Sequence, residues 1–467
     1  MRRRGPIPIV AILLLTFLAA TCTRAVERGG EPASQHLSKE TATQKAARMK
    51  WWVDARFGMF IHWGPVTLKG TEIGWSRGKE VSVNVYDSLY KEFNPTKFKA
   101  KEYVRLAKAA GMKYIVLTAK HHDGFSMFAT WYSDYNIMNT PFKRDITKEL
   151  AEECRRQGIV FCTYYSIIDW HHPDYLPRGP GGAVGSRPAE AADYELYFAF
   201  MKNQLRELVE NYGPLGVLWF DGDWDPTWTH ERAVEISNFV RSIQPSIILN
   251  NRVDKGRLGM DGFNDPATPN VGDFETPEQK AGKFLADSHR YWESCVTIGT
   301  QWAWKPNDQL KSAREIIQLL VRNAGMDGNF LLNVGPMPTG EIEPRQASVL
   351  REVGRWTGAY GESIYGTRGG PFQPAQWGVT THKDDTIYLH VLNWQQGSVL
   401  RLPGIGKKII SSRVLTGGRA RVTQKADAIA INLPPEGRRR IDTVIALKLD
   451  GSAEEIPFMA AEIPPAR

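Results

Sequence analysis

Short apolar runs recur from residue 57 to residue 334, and one after another they stop on polar or aromatic side chains. The runs at 57–62, 114–119, 160–165, 217–221, 247–250 and 330–334 have the length and content of buried strands. Amphipathic stretches at 100–110, 147–156, 194–212, 231–243 and 309–323 alternate with them and read as covering helices. Asp145 supplies an N-cap for one of these and Gly158 a stop. Strand followed by helix, repeated, is the grammar of a parallel sheet. The strand ends carry His62-Trp63, Lys120-His121-His122-Asp123, Tyr164-Tyr165-Ser166, Asp221 and Asn250-Asn251-Arg252. In a (β/α)8 barrel the chemistry gathers at that end of the strands. An open doubly wound sheet also collects ligands there, but no glycine-rich phosphate loop follows the first strand, and six or more repeats favour the closed barrel.

The expectation is therefore an α/β protein with a (β/α)8-like catalytic domain over residues 45–365. It should be irregular where the later strands, 271–274 and 296–298, are weakly marked. Beyond residue 365 the period changes. Segments 386–392, 409–415 and 428–433 alternate in the manner of strands, punctuated by Asp384-Asp385, Gly404, Gly406, Gly417-Gly418 and Pro434-Pro435. That predicts a small antiparallel β-sandwich domain over 366–467.

Arg2, Arg3 and Arg4 precede an apolar stretch at 7–20 that is short for a bilayer span, the pattern of a signal peptide over residues 1–25. A polar leader over 26–44 follows, and the expected destination is secreted or periplasmic. The segment Leu18-Ala-Ala-Thr-Cys22 resembles a bacterial lipoprotein box except at Thr21, so plain secretion is favoured over lipid anchoring at Cys22. No other segment is apolar enough to span a membrane. The net charge of +8 is dispersed, with one dense block at Arg438-Arg439-Arg440, and no nucleic-acid module accompanies it. Cys154, Cys162 and Cys295 are odd in number and lack metal-ligand spacing.

Asp221 is the sharpest chemical feature. An apolar run, Val217-Leu-Trp-Phe220, ends on it, and Trp219, Phe220 and Trp224 surround it with ring surface suited to stacking on sugars. Burying an unpaired carboxylate is costly, which argues for function. A helix N-cap is the structural alternative, and on this segment alone the two readings are even.

The ordered set of segments breaks the tie. Arg56-Phe-Gly-Met-Phe-Ile-His-Trp-Gly64, Tyr114-Ile-Val-Leu-Thr-Ala-Lys-His-His-Asp-Gly-Phe125, Tyr164-Tyr-Ser166, Trp219-Phe-Asp-Gly222, Trp292-Glu-Ser-Cys295 and Gly328-Asn-Phe-Leu-Leu-Asn-Val-Gly-Pro336 follow one another across residues 51–367. Together they resemble the α-L-fucosidases of glycoside hydrolase family 29. The resemblance implies an exo-acting retaining enzyme that removes terminal α-L-fucose from fucosylated oligosaccharides or glycoconjugates. It implies Asp221 as nucleophile and a glutamic acid/base, with no metal or other cofactor. Glu278 takes the acid/base position by the Phe-x-Thr-x-Glu pattern, with Glu275 next; Glu293 is a third carboxylate that can instead be structural. By the same resemblance His62, Trp75, His121, His122, Tyr165 and Arg252 contact the sugar, and Trp302 lies under its C5 methyl group. Many relatives carry an acidic residue just before the Trp75 position; here it is Gly74, and Glu72 is the substitute to consider. The rival readings are the same machinery acting on an α-L-galactoside, and a non-catalytic fucose-binding protein.

Overall fold

The computed structural model describes residues 40–179, 189–283, 290–394 and 399–461. The expected signal peptide, most of the leader and Cys22 lie outside the described residues. Eight parallel strands form one sheet: β1 (Phe57–Ile61), β2 (Tyr114–Lys120), β3 (Val160–Ser166), β4 (Val217–Asp221), β5 (Ile248–Leu249), β6 (Phe274–Glu275), β7 (Tyr291–Thr297) and β8 (Asn329–Val334). Their order, β5-β4-β3-β2-β1-β8-β7-β6, leaves β5 and β6 at the two edges. A single parallel bridge, Asn250 to Phe274, joins those edges and closes the barrel.

Helix α1 (Ala42–Ala55) precedes the barrel. Helices α2 (Ala100–Ala110), α3 (Ile146–Gln157), α4 (Tyr194–Tyr212) and α5 (His230–Ile243) follow β1 to β4, and α6 (Ala313–Gly325) and α7 (Pro344–Tyr360) follow β7 and β8. Among the described residues no helix follows β5 or β6. Loops and short helical turns take their place, so the irregularity expected from the weak late strands falls on that side.

Two elements differ from the sequence reading for identifiable reasons. The leader was expected to stay polar and unstructured up to 44, yet α1 starts at Ala42. Thr41 and Gln44 form a reciprocal capping box there, and Met49, Trp52 and Val53 bury themselves among the inward side chains of the barrel. Helix α6 starts at Ala313 rather than 309 because Ser312 and Glu315 cap it in the same reciprocal way.

After Arg368 come two antiparallel sheets. Strands β9 (Arg368–Gly369), β10 (Gly378–Lys383), β11 (Thr386–Val391), β13 (Ile409–Val414) and β16 (Thr443–Leu449) make a five-stranded sheet in the order β13-β16-β11-β10-β9. Strands β12 (Val399–Pro403), β14 (Arg421–Gln424) and β15 (Ala428–Asn432) make a second, in the order β12-β15-β14. Ile387, Leu389 and Leu447 of the first pack with Leu402, Ile429 and Ile431 of the second in one core. Asp327, just before β8, fastens this part to the barrel by ion pairs with Arg56 and Arg368.

Candidate active site

Side-chain alternation along the strands decides what reaches the barrel mouth. On β4, Val217 and Trp219 point into the barrel while Leu218 and Phe220 pack outward with the helices. Asp221, two residues beyond Trp219, therefore arrives at the mouth on the inner face. On β3 the same alternation turns Tyr164 inward and Tyr165 outward. The Tyr164 hydroxyl donates to Asp221 Oδ2 at 2.9 Å. Tyr165 instead donates to Gln204 Oε1 of α4 at 2.9 Å, so the residue expected at the cavity faces the helices and its neighbour Tyr164 lines the mouth.

A cavity of about 410 Å³ opens at this end, and Asp221, Glu278, Arg252, His62, His121 and His122 all line it. Trp75 and Trp302 line it as well, together with groups the sequence reading had not assigned to the site, among them Tyr164, Arg257, Met260 and Cys295. A larger cavity of about 630 Å³ lies between α2 and α7, among Tyr103, Arg105 and Arg351. It shares no lining residue with the first cavity and has no histidine in its wall.

Arg252 organises the carboxylates. It sits in a short helical turn after β5, its ring-facing side 4.7 Å from the Trp219 centroid, and Nε donates to Thr276 Oγ1 at 2.9 Å. Nη1 donates to Asp221 Oδ1 at 2.9 Å and Nη2 to Glu278 Oε2 at 2.8 Å. Burial on its own would raise the Asp221 carboxyl. The charge of Arg252, then that of His122 once acid protonates it and that of Arg257, outweigh it and hold the group at about 2. Asp221 is thus an anion throughout the neutral range.

The three histidines are the reverse case. Burial pushes His62 down to about 3, His122 to about 4 and His121 well below its usual value, so all three rings are neutral. A neutral imidazole carries one donor and one acceptor, the complement of a hydroxyl group. His62 Nδ1 donates to Asn333 Oδ1 at 2.7 Å, which leaves Nε2 as its acceptor. His122 Nδ1 meets Ser166 Oγ at 2.6 Å, and Nε2 lies 3.6 Å from Asp221 Oδ2. His121 Nδ1 is buried without a hydrogen-bond partner.

The remaining candidates are sorted by their partners. Glu275 pairs with Arg290 and accepts from the Asn264 amide at 2.7 Å, away from the cavity. Glu293 is inside the barrel, bonded to the Tyr114 hydroxyl and to Trp219 Nε1 at 3.2 Å. Burial raises its carboxyl to about 7. Glu72 does not line the cavity. Its carboxylate accepts the amides of Ile73 at 2.9 Å, Trp302 at 2.8 Å and Ala303 at 3.1 Å, pinning the loop that carries Trp302. The glycine at position 74 also has a cause: its φ is +67°, and a Cβ there would come within 2.9 Å of His121 Nδ1. An acidic side chain at 74 would collide with the histidine cluster.

His171 and His172 are engaged elsewhere, stacked on Tyr135 at 4.0 Å and packed against Phe200 at 4.5 Å. Asn329 donates to the Trp52 carbonyl at 2.7 Å, and Asn333 both orients His62 and donates to the Trp302 carbonyl at 2.7 Å. Among the described residues no three of His, Cys, Asp and Glu gather in the manner of a metal cage. Also among these residues, no helix is long and apolar enough to cross a membrane.

Residues 25–362 match the model of a family described as Alpha-L-fucosidase. Tissue alpha-L-fucosidase of Rattus norvegicus is 27% identical over 475 residues, covering 93% of this chain and 96% of the rat protein. The structure of alpha-L-fucosidase isoenzyme 1 from Paenibacillus thiaminolyticus superposes with a TM-score of 0.78 at 33% identity, over 88% of this chain and 100% of that one. A GH29 alpha-L-fucosidase from Bacteroides thetaiotaomicron, trapped as a covalent intermediate with 2-fluoro-fucosyl fluoride, superposes with a TM-score of 0.77 at 27% identity, over 87% and 96% of the two chains. With the match spanning the whole barrel and the site at its mouth, this chain belongs to the alpha-L-fucosidase family of glycoside hydrolases, family 29.

Proposed function

We propose that the protein removes terminal α-L-fucose from glycans with retention of configuration, Asp221 acting as nucleophile and Glu278 as acid/base. One observation carries the reading: the two carboxylates bond to different nitrogens of a single guanidinium, Arg252. That sharing supports the short separation, about 5 Å, on which double displacement depends.

In the first step Asp221 Oδ attacks the anomeric carbon, the glycosidic C–O bond breaks, and the departing oxygen takes the Glu278 proton. Glu278 can donate only when protonated, so its pair with Arg252 parts as the substrate enters, leaving Arg252 to Asp221. In the second step Glu278 removes a proton from water, the water oxygen attacks the anomeric carbon, and the Asp221 ester bond breaks. The neutral His62, His121 and His122, which line the cavity, bond the ring hydroxyls. Trp75 contributes to the same recognition, and Trp302, 4.7 Å from the His62 ring, offers apolar surface to the C5 methyl group. The basic and then apolar N-terminus supports export to a periplasmic or extracellular location.

The test is hydrolysis of an aryl α-L-fucoside followed by proton NMR. The α-anomer of fucose should appear first, with kcat/KM well above that for the matching α-L-galactoside. First release of the β-anomer contradicts the mechanism, and a preference for the galactoside contradicts the sugar.

A further inference from the structure

The mouth of the cavity is rimmed by large apolar side chains that the fold leaves uncovered. Trp75 is 38% exposed, Trp224 44% and Met260 55%, and all three line the cavity. Scattered exposed apolar residues are ordinary, but a contiguous exposed patch at a site marks a ligand surface. The Trp224 ring lies beside that of Trp75, centroids 6.4 Å apart and planes 25° from parallel, and meets His122 edge-on at 5.5 Å.

The backbone that presents Trp224 is held firmly. Arg257 Nε and Nη2 donate to the Asp223 carboxylate at 3.0 to 3.3 Å. Lys255 Nζ donates to the carbonyls of Asp223 at 2.7 Å and Asp225 at 2.9 Å, and the Tyr175 hydroxyl bonds the Asp225 carboxylate. Gly222 starts the turn at φ +102°, where a Cβ would sit 2.8 Å from Ile168. An exposed indole on a braced loop gives up little further freedom when a ring stacks on it. Trp224 stands three residues after Asp221, on the solvent side of the reacting centre.

We propose that Trp224, with Trp75 and Met260 beside it, is a leaving-group subsite that holds the pyranose ring to which fucose is attached by stacking on its apolar face. The inference rests on the fucosidase reading and extends it to the other side of the scissile bond. The substrate class is thereby fucosylated oligosaccharide rather than fucose on a small or flexible alcohol.

The experiment compares kcat/KM for α-L-fucosyl fluoride, whose leaving group has no ring, with kcat/KM for the best substrate in a panel of α1-2, α1-3, α1-4 and α1-6 fucosylated oligosaccharides. Wild type, Trp224→Ala and Trp224→Phe are measured side by side. The oligosaccharide-to-fluoride ratio should fall at least tenfold in Trp224→Ala, chiefly through KM, and recover most of that loss in Trp224→Phe. An unmoved ratio in Trp224→Ala, or no recovery with phenylalanine, overturns the subsite while leaving the fucosidase reading intact. A wild type inactive on the fluoride and on every oligosaccharide overturns both.

Discussion

Replacing Arg252 with methionine keeps most of the side-chain bulk against Trp219 and removes the charge that Asp221 and Glu278 share. In the native protein Asp221 lies at about 2 against an ordinary 3.8. A carboxyl lowered in this way stabilises the fold above pH 4 and loses that contribution as pH falls towards 2; the size is about 2 kcal/mol. Without Arg252 the desolvation that is already the largest influence on Asp221 prevails, and a second carboxylate faces it unpaired. A rise to about 6 is reasonable for a carboxyl so buried, which turns the contribution into a cost of about 3 kcal/mol at pH 7. The total loss at pH 7 is then about 5 kcal/mol, at the upper end of what breaking a buried ion pair costs. Protonation relieves the variant as pH falls, so the loss should shrink to about half at pH 4. Urea unfolding followed by tryptophan fluorescence at pH 4, 5, 6 and 7 measures this directly. The residual activity on an aryl fucoside should lose its acid side between pH 5 and 7. A stability loss that is the same at pH 4 and pH 7 would refute the claim that Arg252 sets the charge of Asp221.

Three further outcomes follow from the same geometry. Glu278→Ala should lose about 10²- to 10⁴-fold on oligosaccharides and far less on activated aryl fucosides, because only a poor leaving group needs the proton, whereas Glu275→Ala should affect both substrates alike. Glu293 is raised from 4.5 to about 7, so it favours the fold below pH 4.5 and that advantage, about 3 kcal/mol, fades as pH climbs through 7; Glu293→Gln should flatten this fall in urea midpoints between pH 5 and 8, and an unchanged slope would speak against it. Glu72→Gln puts an N–H against the amides of Trp302 or Ala303, so the ratio of kcat/KM for aryl fucoside over aryl galactoside should drop on the order of tenfold; Trp302→Ala in parallel tells a slack clamp from an indifferent tryptophan.

Periodicity revealed the barrel wherever an element was long enough to display it. Helices α2 and α4 begin and end where the apolar spacing places them. Strands β5 and β6 have two residues each, too few for any alternation to show, and their places follow from the neighbours they close against. The first turn of helix α1 looked like leader because its residues are small or polar; the helix is tied to the fold by Trp52 and Met49 reaching side chains far along the sequence. The site was legible at its strand-end motifs and illegible where partners are distant. Tyr164 and Tyr165 are the same residue type in succession, and only register with β4, Tyr164 beside Trp219 and Ser166 beside Asp221, tells which one faces inward. Glu293 resembles a catalytic carboxylate in sequence because burial is needed for either role, and its actual partners are Tyr114 and Trp219 on other strands. Nothing local to Glu72 announces that it holds backbone amides some 230 positions later.

The central claim is that Asp221 forms a covalent bond to the sugar. Incubation with 2-deoxy-2-fluoro-α-L-fucosyl fluoride slows both steps and slows release most, so the ester should accumulate. Peptide mapping by mass spectrometry should find one fluorofucosyl group per chain, on the peptide containing Trp219 to Trp224 and on Asp221 within it, with activity lost in proportion. Label on Glu278, Glu275 or Glu293, or hydrolysis that proceeds with no adduct at all, would contradict the account.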